Sequence, residues 1–448
     1  MRRLTETENT TDMKLGLYFR QAWYNLRANR VYSAVFIAGT ALSLALVMAF
    51  LTVLSSRVVN TVPETHRDRT MVIYSMEYHK GGMMFTVGPN YRFARDFLKD
   101  MPEVECWSAV YTYDATYAVL ENASEELTHA YARMVDLNFW KIFDMDFLYG
   151  RPISENGMDL NTPEAVVTES VARSLTGRSD AVGEKVYLDG YTLTVCGVVR
   201  DVPMSATLAF SEIWLPSTIA ERSFAPESNP LSRYMNGTEI IVLLKDRKDI
   251  PAVERTVKER VEQYNGLKES EYELVLSGIS SQRQYIFAWS DLGSSGYAWL
   301  GAGVMLLILL VPLLNLSGMV GSRMEARLTE FGTRKSFGAG PRSIIAQIAG
   351  ENLLMTILGG VLGLLLSWLI IALFTQQINA LVPGNVLVES YTYRVPESGG
   401  FFDFRDFFNV GLYALLLVIL AVLNMISAFI PALKVIRRPI TESLNYKK

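Results

Sequence analysis

The sequence predicts an α-helical membrane protein with four transmembrane helices and a large α+β extracytoplasmic domain, in two lobes, between helices 1 and 2. Three observations predict it. Half of the 448 residues are hydrophobic, and they gather in four long blocks. A polar stretch, residues 55–296, separates the first block from the second. Lys and Arg crowd into alternate flanks of the blocks. The net charge of -4 is small and says little by itself; no nucleic-acid partner is expected.

Residues 1–30 form a cytoplasmic N-terminus. Leu15, Tyr18, Phe19, Ala22, Trp23 and Leu26 recur at helical spacing on one face, beside Arg20 and Arg27. This pattern predicts an amphipathic elbow helix lying against membrane lipids. The first span, 31–54, is 24 uncharged residues, and about 20 suffice to cross the hydrocarbon. A cleaved signal peptide has an apolar core of only about 7–15 residues, so an uncleaved anchor is expected.

The extracytoplasmic domain, 55–296, alternates strands and helices. Met71 to Tyr78 reads as a strand, Tyr91 to Asp100 as a helix with Phe93, Ala94, Phe97 and Leu98 inward, and Val104 to Val119 as strand. The same order returns with the strand Glu239 to Lys245, a helix striped by Ile250, Val253, Val257, Val261 and Tyr264, and the strand Tyr272 to Leu276. Two β-α-β units predict one split, ferredoxin-like domain. The stretch 127–230 is then an insertion forming the second lobe. It holds a strand and helix in AVVTESVARSL, a hairpin turning at Asp189-Gly190, and the strand SEIWLP. Cys106 and Cys196 could pair outside the cytoplasm, but the apolar run around Cys196 favours a buried free thiol.

The second span, 297–320, carries Pro312 and Asn315 in its apolar run, and the third, 344–374, carries Gly359, Gly360 and Gly363, which let helices approach closely. Residues 375–407 form a short outer loop, 408–433 the fourth span, and 434–448 a cytoplasmic tail. Residues 1–30 hold six Lys and Arg, the 321–343 loop five and the tail five, against two in the 375–407 loop. Positive charge marks the cytoplasmic side, so both termini and the 321–343 loop are inside and the large domain is outside. Asn315, Glu351 and Asn424 are polar residues in or near the spans. Such groups usually face the bundle interior or water, although Glu351 sits close enough to the third span's start to lie at the interface.

Nothing in the sequence supports catalysis. There is no GxxxxGK[ST] phosphate loop and no GxSxG elbow, and His66, His79 and His129 lack metal-ligand spacing. No metal and no directly bound cofactor are expected.

The segment Ser322 to Glu351, SRMEARLTEFGTRKSFGAGPRSIIAQIAGE, is patterned beyond the needs of a connector. Charges alternate along Glu325, Arg327, Glu330, Arg334 and Lys335. Gly332, Gly338 and Gly340 punctuate it before Pro341 opens the next helix. The plainer reading is a loop that only fixes topology.

This segment resembles the stretch E-x-R-x-x-E-[IF]-G-x-R-K-[AS]-[LF]-G-A of ABC transporter permeases of the MacB/FtsX type, without a fused ATPase. The matching residues are Glu325, Arg327, Glu330, Phe331, Gly332, Arg334, Lys335, Gly338 and Ala339, with Glu351 following. Thr333, Phe337 and the pair Gly340-Pro341 depart from the family's usual residues. FRQAWYNLRANRVYS resembles the family's elbow, VVTESVARSLTGRSDAVGEKVYLDGYTLTVCGVVRDVP its outer core, and PALKVIRRPITESL its C-terminal end. The resemblance implies that this loop couples to an ABC ATPase subunit, which holds the ATP-Mg. Since 30 residues precede the first span, a separate ATPase chain is expected. It further implies a second permease copy or paralogue, a bacterial inner membrane, and a periplasmic adaptor or outer-membrane component as a further partner. Two functions fit. One is mechanotransmission for export of a peptide, drug or lipoprotein. The other is a regulatory transmitter acting on a periplasmic partner such as a cell-wall hydrolase.

Overall fold

In the computed structural model, residues 30–120, 128–188, 190–224, 237–267, 273–285, 328–338, 340–381 and 410–437 are described, with isolated positions at 20–28, 234 and 296–306. The chain divides into two units. One contains 1–52, 298–378 and 407–448, and the other contains 53–297 and 379–406.

Helix α1 spans Arg30–Val58, residues 30–52 falling in the first unit and its last turn in the second. The stretch Arg30–Thr52 of α1 and the stretch Ser343–Phe374 further on are long and apolar enough to cross a membrane. A third apolar stretch, Tyr413–Ile426, is shorter. The expected second span lies outside the described residues apart from four positions, so among the described residues two of the four expected spans have the length and apolarity to cross a membrane.

The bundle packs through small residues, as the sequence expects. A Cβ on Gly363 would stand 2.9 Å from the Ala41 carbonyl, and one on Gly359 would stand 2.8 Å from Thr40 Cγ2. Only glycine allows that approach. Leu44, Val47 and Met48 of α1 pack with Leu416 and Leu420.

The second unit is built on a sheet that is eleven-stranded among the described residues. Its strands are β1 (Thr70–Lys80), β2 (Met83–Val87), β3 (Val104–Leu120), β4 (Thr128–Val135), β5 (Phe147–Gly150), β6 (Glu164–Thr168), β7 (Lys185–Leu188), β8 (Tyr191–Val199), β9 (Ile213–Pro216), β10 (Thr238–Leu244) and β11 (Glu273–Ser281). Its helices are α2 (Tyr91–Phe97), α3 (Phe139–Ile142), α4 (Glu169–Thr176), α5 (Ser217–Phe224), α6 (Ile250–Gly266) and α7 (Gln282–Tyr285).

Strands β11-β1-β10-β3 lie side by side, all antiparallel. With α2 between β1 and β3, and α6 between β10 and β11, this is the strand order of a split β-α-β domain. The sequence signals operate locally as expected. Asn90 caps α2 by accepting from Phe93 N at 3.1 Å. Thr168 caps α4, and Gly177 ends it at φ 73°. Val253, Val257 and Val261 are buried along α6, each removal from water worth about 1.5–3 kcal/mol.

The insertion is not a detached body. β4 pairs with β3, and β9, β6 and β8 follow in turn. β7 then pairs with β8 on one side and with the last residues of β3 on the other. The strands β3-β4-β9-β6-β8-β7 therefore close into a ring. Both hydrophobic clusters of this unit run through the two halves. One holds Ile73, Val242, Ala132 and Val167 with the helical stripe, and the other holds Val72, Ile241, Val135, Val166 and Trp214. Alternating residues of the same strands divide between them, as strand geometry requires. The two lobes thus share one sheet and one pair of cores. Cys106 and Cys196 are free thiols.

Candidate functional site

The patterned loop begins its described part as α8, Leu328–Ser336. Glu330 and Arg334 lie one turn apart and form an ion pair at 2.7 Å. The acid stands toward the helix N-terminus and the base toward its C-terminus, the orientation the helix dipole favours. Leu328 is buried with Phe36 of α1 and with Ile344, Ile348 and Met355. Gly332 is buried as well, while Phe337 is 88% exposed. Gly338 takes φ 90° and donates to the Lys335 carbonyl at 3.0 Å, closing the helix. Pro341 then opens α9, Pro341–Leu381, as its first residue.

A string of polar side chains joins the two helices. Arg334 donates to Gln347 Oε1 as well as to Glu330. Gln347 donates to Glu351 Oε1 at 3.1 Å. Both Gln347 and Glu351 are buried. Further along, Asn424 of α10 (Val410–Arg437) donates to Thr356 Oγ1 at 2.9 Å, and Thr356 donates to the Asn352 carbonyl. Glu351 is therefore an interior group of this unit, as is Asn424. Lys335 is half-buried, and burial pulls its ammonium below the ordinary lysine value.

The structure thus brings Glu330, Gly332, Arg334, Lys335 and Gly338 together on one short helix and its cap, with Glu351 joined to them through Gln347. Phe331 lies within α8. Asn315, Glu325, Arg327 and Ala339 lie outside the described residues. Gln347 is the member the sequence reading missed. Its spacing, four residues before Glu351, is the signal that could have found it.

A second polar cluster escaped the sequence reading altogether. Glu64 and Arg67 are 2% and 1% exposed and pair at 2.6 Å. The Glu64 carboxylate accepts four hydrogen bonds. They come from Leu208 N at 2.7 Å, Ala209 N at 3.0 Å, Arg67 Nε at 2.6 Å and Gln282 Nε2 at 2.6 Å. The Arg67 guanidinium also donates to the carbonyls of Ser56, of Val59 (2.6 Å) and of Ser205 (3.2 Å). Arg283 Nε donates to the Val58 carbonyl at 3.1 Å. Ser56 and Val58 close α1, where helix carbonyls lack intrahelical partners. Residues 204–211 form a wholly buried loop, also held by Arg133, which donates to the Leu208 and Thr207 carbonyls. Among the described residues, no group of three or more His, Cys, Asp or Glu is placed to hold a metal.

Comparison with known proteins places these features in a family. Residues 33–260 match the MacB-like periplasmic core domain, and residues 302–440 match the FtsX-like permease C-terminal model. The uncharacterized ABC transporter permease YknZ of Bacillus subtilis is 23% identical over 54% of this chain and 57% of that protein. The macrolide export ATP-binding/permease protein MacB of Acinetobacter baylyi is 22% identical over 67% of this chain and 42% of that protein. The chain thus spans about half the length of these curated relatives. Among solved structures, the extracellular domain of YknZ matches with 16% identity over 45% of this chain and 99% of that one, at a TM-score of 0.32. The periplasmic region of MacB from Actinobacillus actinomycetemcomitans matches with 16% identity over 47% and 89%, at 0.33. At scores this low the sequence matches, not the superpositions, place the chain.

Proposed function

Because the chain belongs to the ABC transporter permeases that join a MacB-like periplasmic core domain to an FtsX-like permease region, we propose that it couples ATP hydrolysis by a partner subunit to motion of its outer domain. The cargo class is a peptide, a drug or a lipoprotein moved on the outer side of the membrane. The permease works beside a second permease copy or paralogue. ATP-Mg is held by the partner ATPase, and this chain supplies the surface on which that partner pushes.

The observation that carries this reading is the string Glu330–Arg334–Gln347–Glu351. An exposed helix that only fixed topology would need no buried hydrogen bonds into the following helix. Here Thr329, Thr333 and Ser336 of α8 face solvent, Glu330, Arg334 and Lys335 are half-buried, and the helix is fastened by Leu328 and Arg334 to α1 and α9. A load on α8 is therefore borne by both long helices. Coupling further requires that the ATPase contact α8 differently in its two nucleotide states.

The test is a pulldown of the tagged chain in mild detergent, with mass spectrometry of the captured proteins and an ATPase assay. A stoichiometric ATP-binding subunit, lost on Glu330→Lys while the variant still folds, is the expected result. Recovery of the native chain alone, without hydrolysis in several detergents, refutes the coupling. Normal coupled hydrolysis in Glu330→Lys refutes the role given to α8.

A further inference from the structure

The second polar cluster lies apart from α8 and α9, and it is buried and densely hydrogen-bonded. Glu64 uses both oxygens twice, and Arg67 spreads its planar fork over a carboxylate and three carbonyls. A buried ion pair is a poor device for stability alone, because desolvation offsets the attraction. The four segments it ties together suggest another use. They are the final turn of α1 with Ser56 and Val59, the turn 60–69, the buried loop 204–211, and the exit from β11 at Gln282 and Arg283.

The turn itself is fastened on both sides. Asn60 donates to Asp68 Oδ1 at 2.7 Å, and Arg69 donates to the Leu244 carbonyl at 2.6 Å and pairs with Glu105 at 2.5 Å. The loop leads into β9, which lies next to β4 and β6. The cluster therefore joins the end of α1, the chain leaving the sheet toward residue 297, and the strand ring.

We propose that the Glu64–Arg67–Gln282 cluster is the mechanical joint through which displacement of α1 enters the outer domain, passing to the strand ring by way of loop 204–211. This inference rests on the coupling reading above. Glu64 and Arg67 act as positioning residues. They hold three backbone segments at a fixed mutual distance, so that movement of one is imposed on the others. Lysine at 67 keeps the charge pair but cannot reach three carbonyls at once, because its ammonium is a single point rather than a fork.

The experiment compares hydrogen–deuterium exchange of the full chain with its ATPase subunit in lipid nanodiscs, without nucleotide and trapped with ATP and vanadate. The variants are Glu64→Gln/Arg67→Met, which removes both charges together, and Arg67→Lys. In the native complex, peptides spanning 204–216 change their exchange with nucleotide. In the double variant that change falls about fivefold or more while hydrolysis stays within about twofold, and β1 and β10 remain strongly protected without nucleotide, their exchange faster by no more than the fall in global stability allows. Arg67→Lys gives a partial loss and carries the test should the double variant not fold. A full-sized nucleotide response in either variant overturns the joint. So does a native complex that hydrolyses ATP with no response at 204–216. Failure of the ATPase to bind the native chain is seen separately, in the pulldown, and overturns the coupling reading and the joint with it.

Discussion

Removing one member of the Glu64–Arg67 pair is expected to cost far more than removing both. Arg67→Met leaves the Glu64 carboxylate, 2% exposed, with three neutral donors and no counter-charge. It also strips a donor from the carbonyls of Ser56, Val59 and Ser205. Breaking a buried pair from one side costs about 3–5 kcal/mol. Adding Glu64→Gln removes the stranded charge. The new amide oxygen still accepts from Leu208 and Ala209, and Gln282 can turn its own amide to offer oxygen to the new NH2. The double variant is then destabilised by only about 1–2 kcal/mol, from the carbonyls left without a donor. The second substitution therefore restores about 2–3 kcal/mol of what the first removed. Urea unfolding in mild detergent, followed by tryptophan emission with Trp214 fully buried, reads the difference. At a slope near 3 kcal/mol per M, Arg67→Met lowers the midpoint by roughly 1–1.7 M. A double variant as unstable as Arg67→Met, or less stable still, would show that the two side chains are not a coupled unit.

Other outcomes follow from single positions. Gly363→Leu drives a side chain toward the Ala41 carbonyl and Leu44, and overpacking of this kind costs about 1–3 kcal/mol. A fall in the melting temperature of the detergent-solubilised chain, absent for the exposed Leu365→Ala, is the expected reading. Arg151 and Ser154 hold the Glu164 carboxyl below its ordinary value. A depressed folded pKa gives stability that is present above the unfolded value and lost as pH falls through the folded one. Glu164→Gln should therefore lower stability at neutral pH and shrink the acid loss between about pH 5 and pH 3, measured by urea midpoints across that range. Burial pushes the Cys196 thiol up to about 12. Iodoacetamide at mildly alkaline pH should leave it unmodified in the folded chain and label it in urea, as peptide mass spectrometry would show.

Much of this fold could be read in the sequence because its signals are local. Val253, Val257 and Val261 recur at helical spacing and become the buried stripe of α6. The uncharged length of 31–54 becomes most of α1, and the two β-α-β patterns become the order β11-β1-β10-β3. Ring closure could not be read, because β7 meets the end of β3 across a gap of more than sixty residues and nothing in KVYL names its partner. The same holds for the polar features. Glu330 and Arg334 at i and i+4 could be read as a pair, whereas the bond from Arg334 to Gln347 depends on how the chain turns at Gly338 and Gly340. Glu64 and Arg67 looked like two charges among many beyond the first span. Their meaning comes from Ser205, Leu208, Ala209 and Gln282, which only tertiary structure brings to them.

The closed ring of β3, β4, β9, β6, β8 and β7 has a further consequence for the shape that motion can take. In an open sheet, neighbouring strands can fan or slide, and a push at one edge fades before the other. A hoop of hydrogen-bonded strands cannot shear one member without straining every pairing around the circuit. The 17-residue β3 belongs to both bodies, paired with β10 along its first half and serving as a stave of the hoop along its second. Any tilt of β3 therefore swings the hoop as a whole, with little distortion inside it.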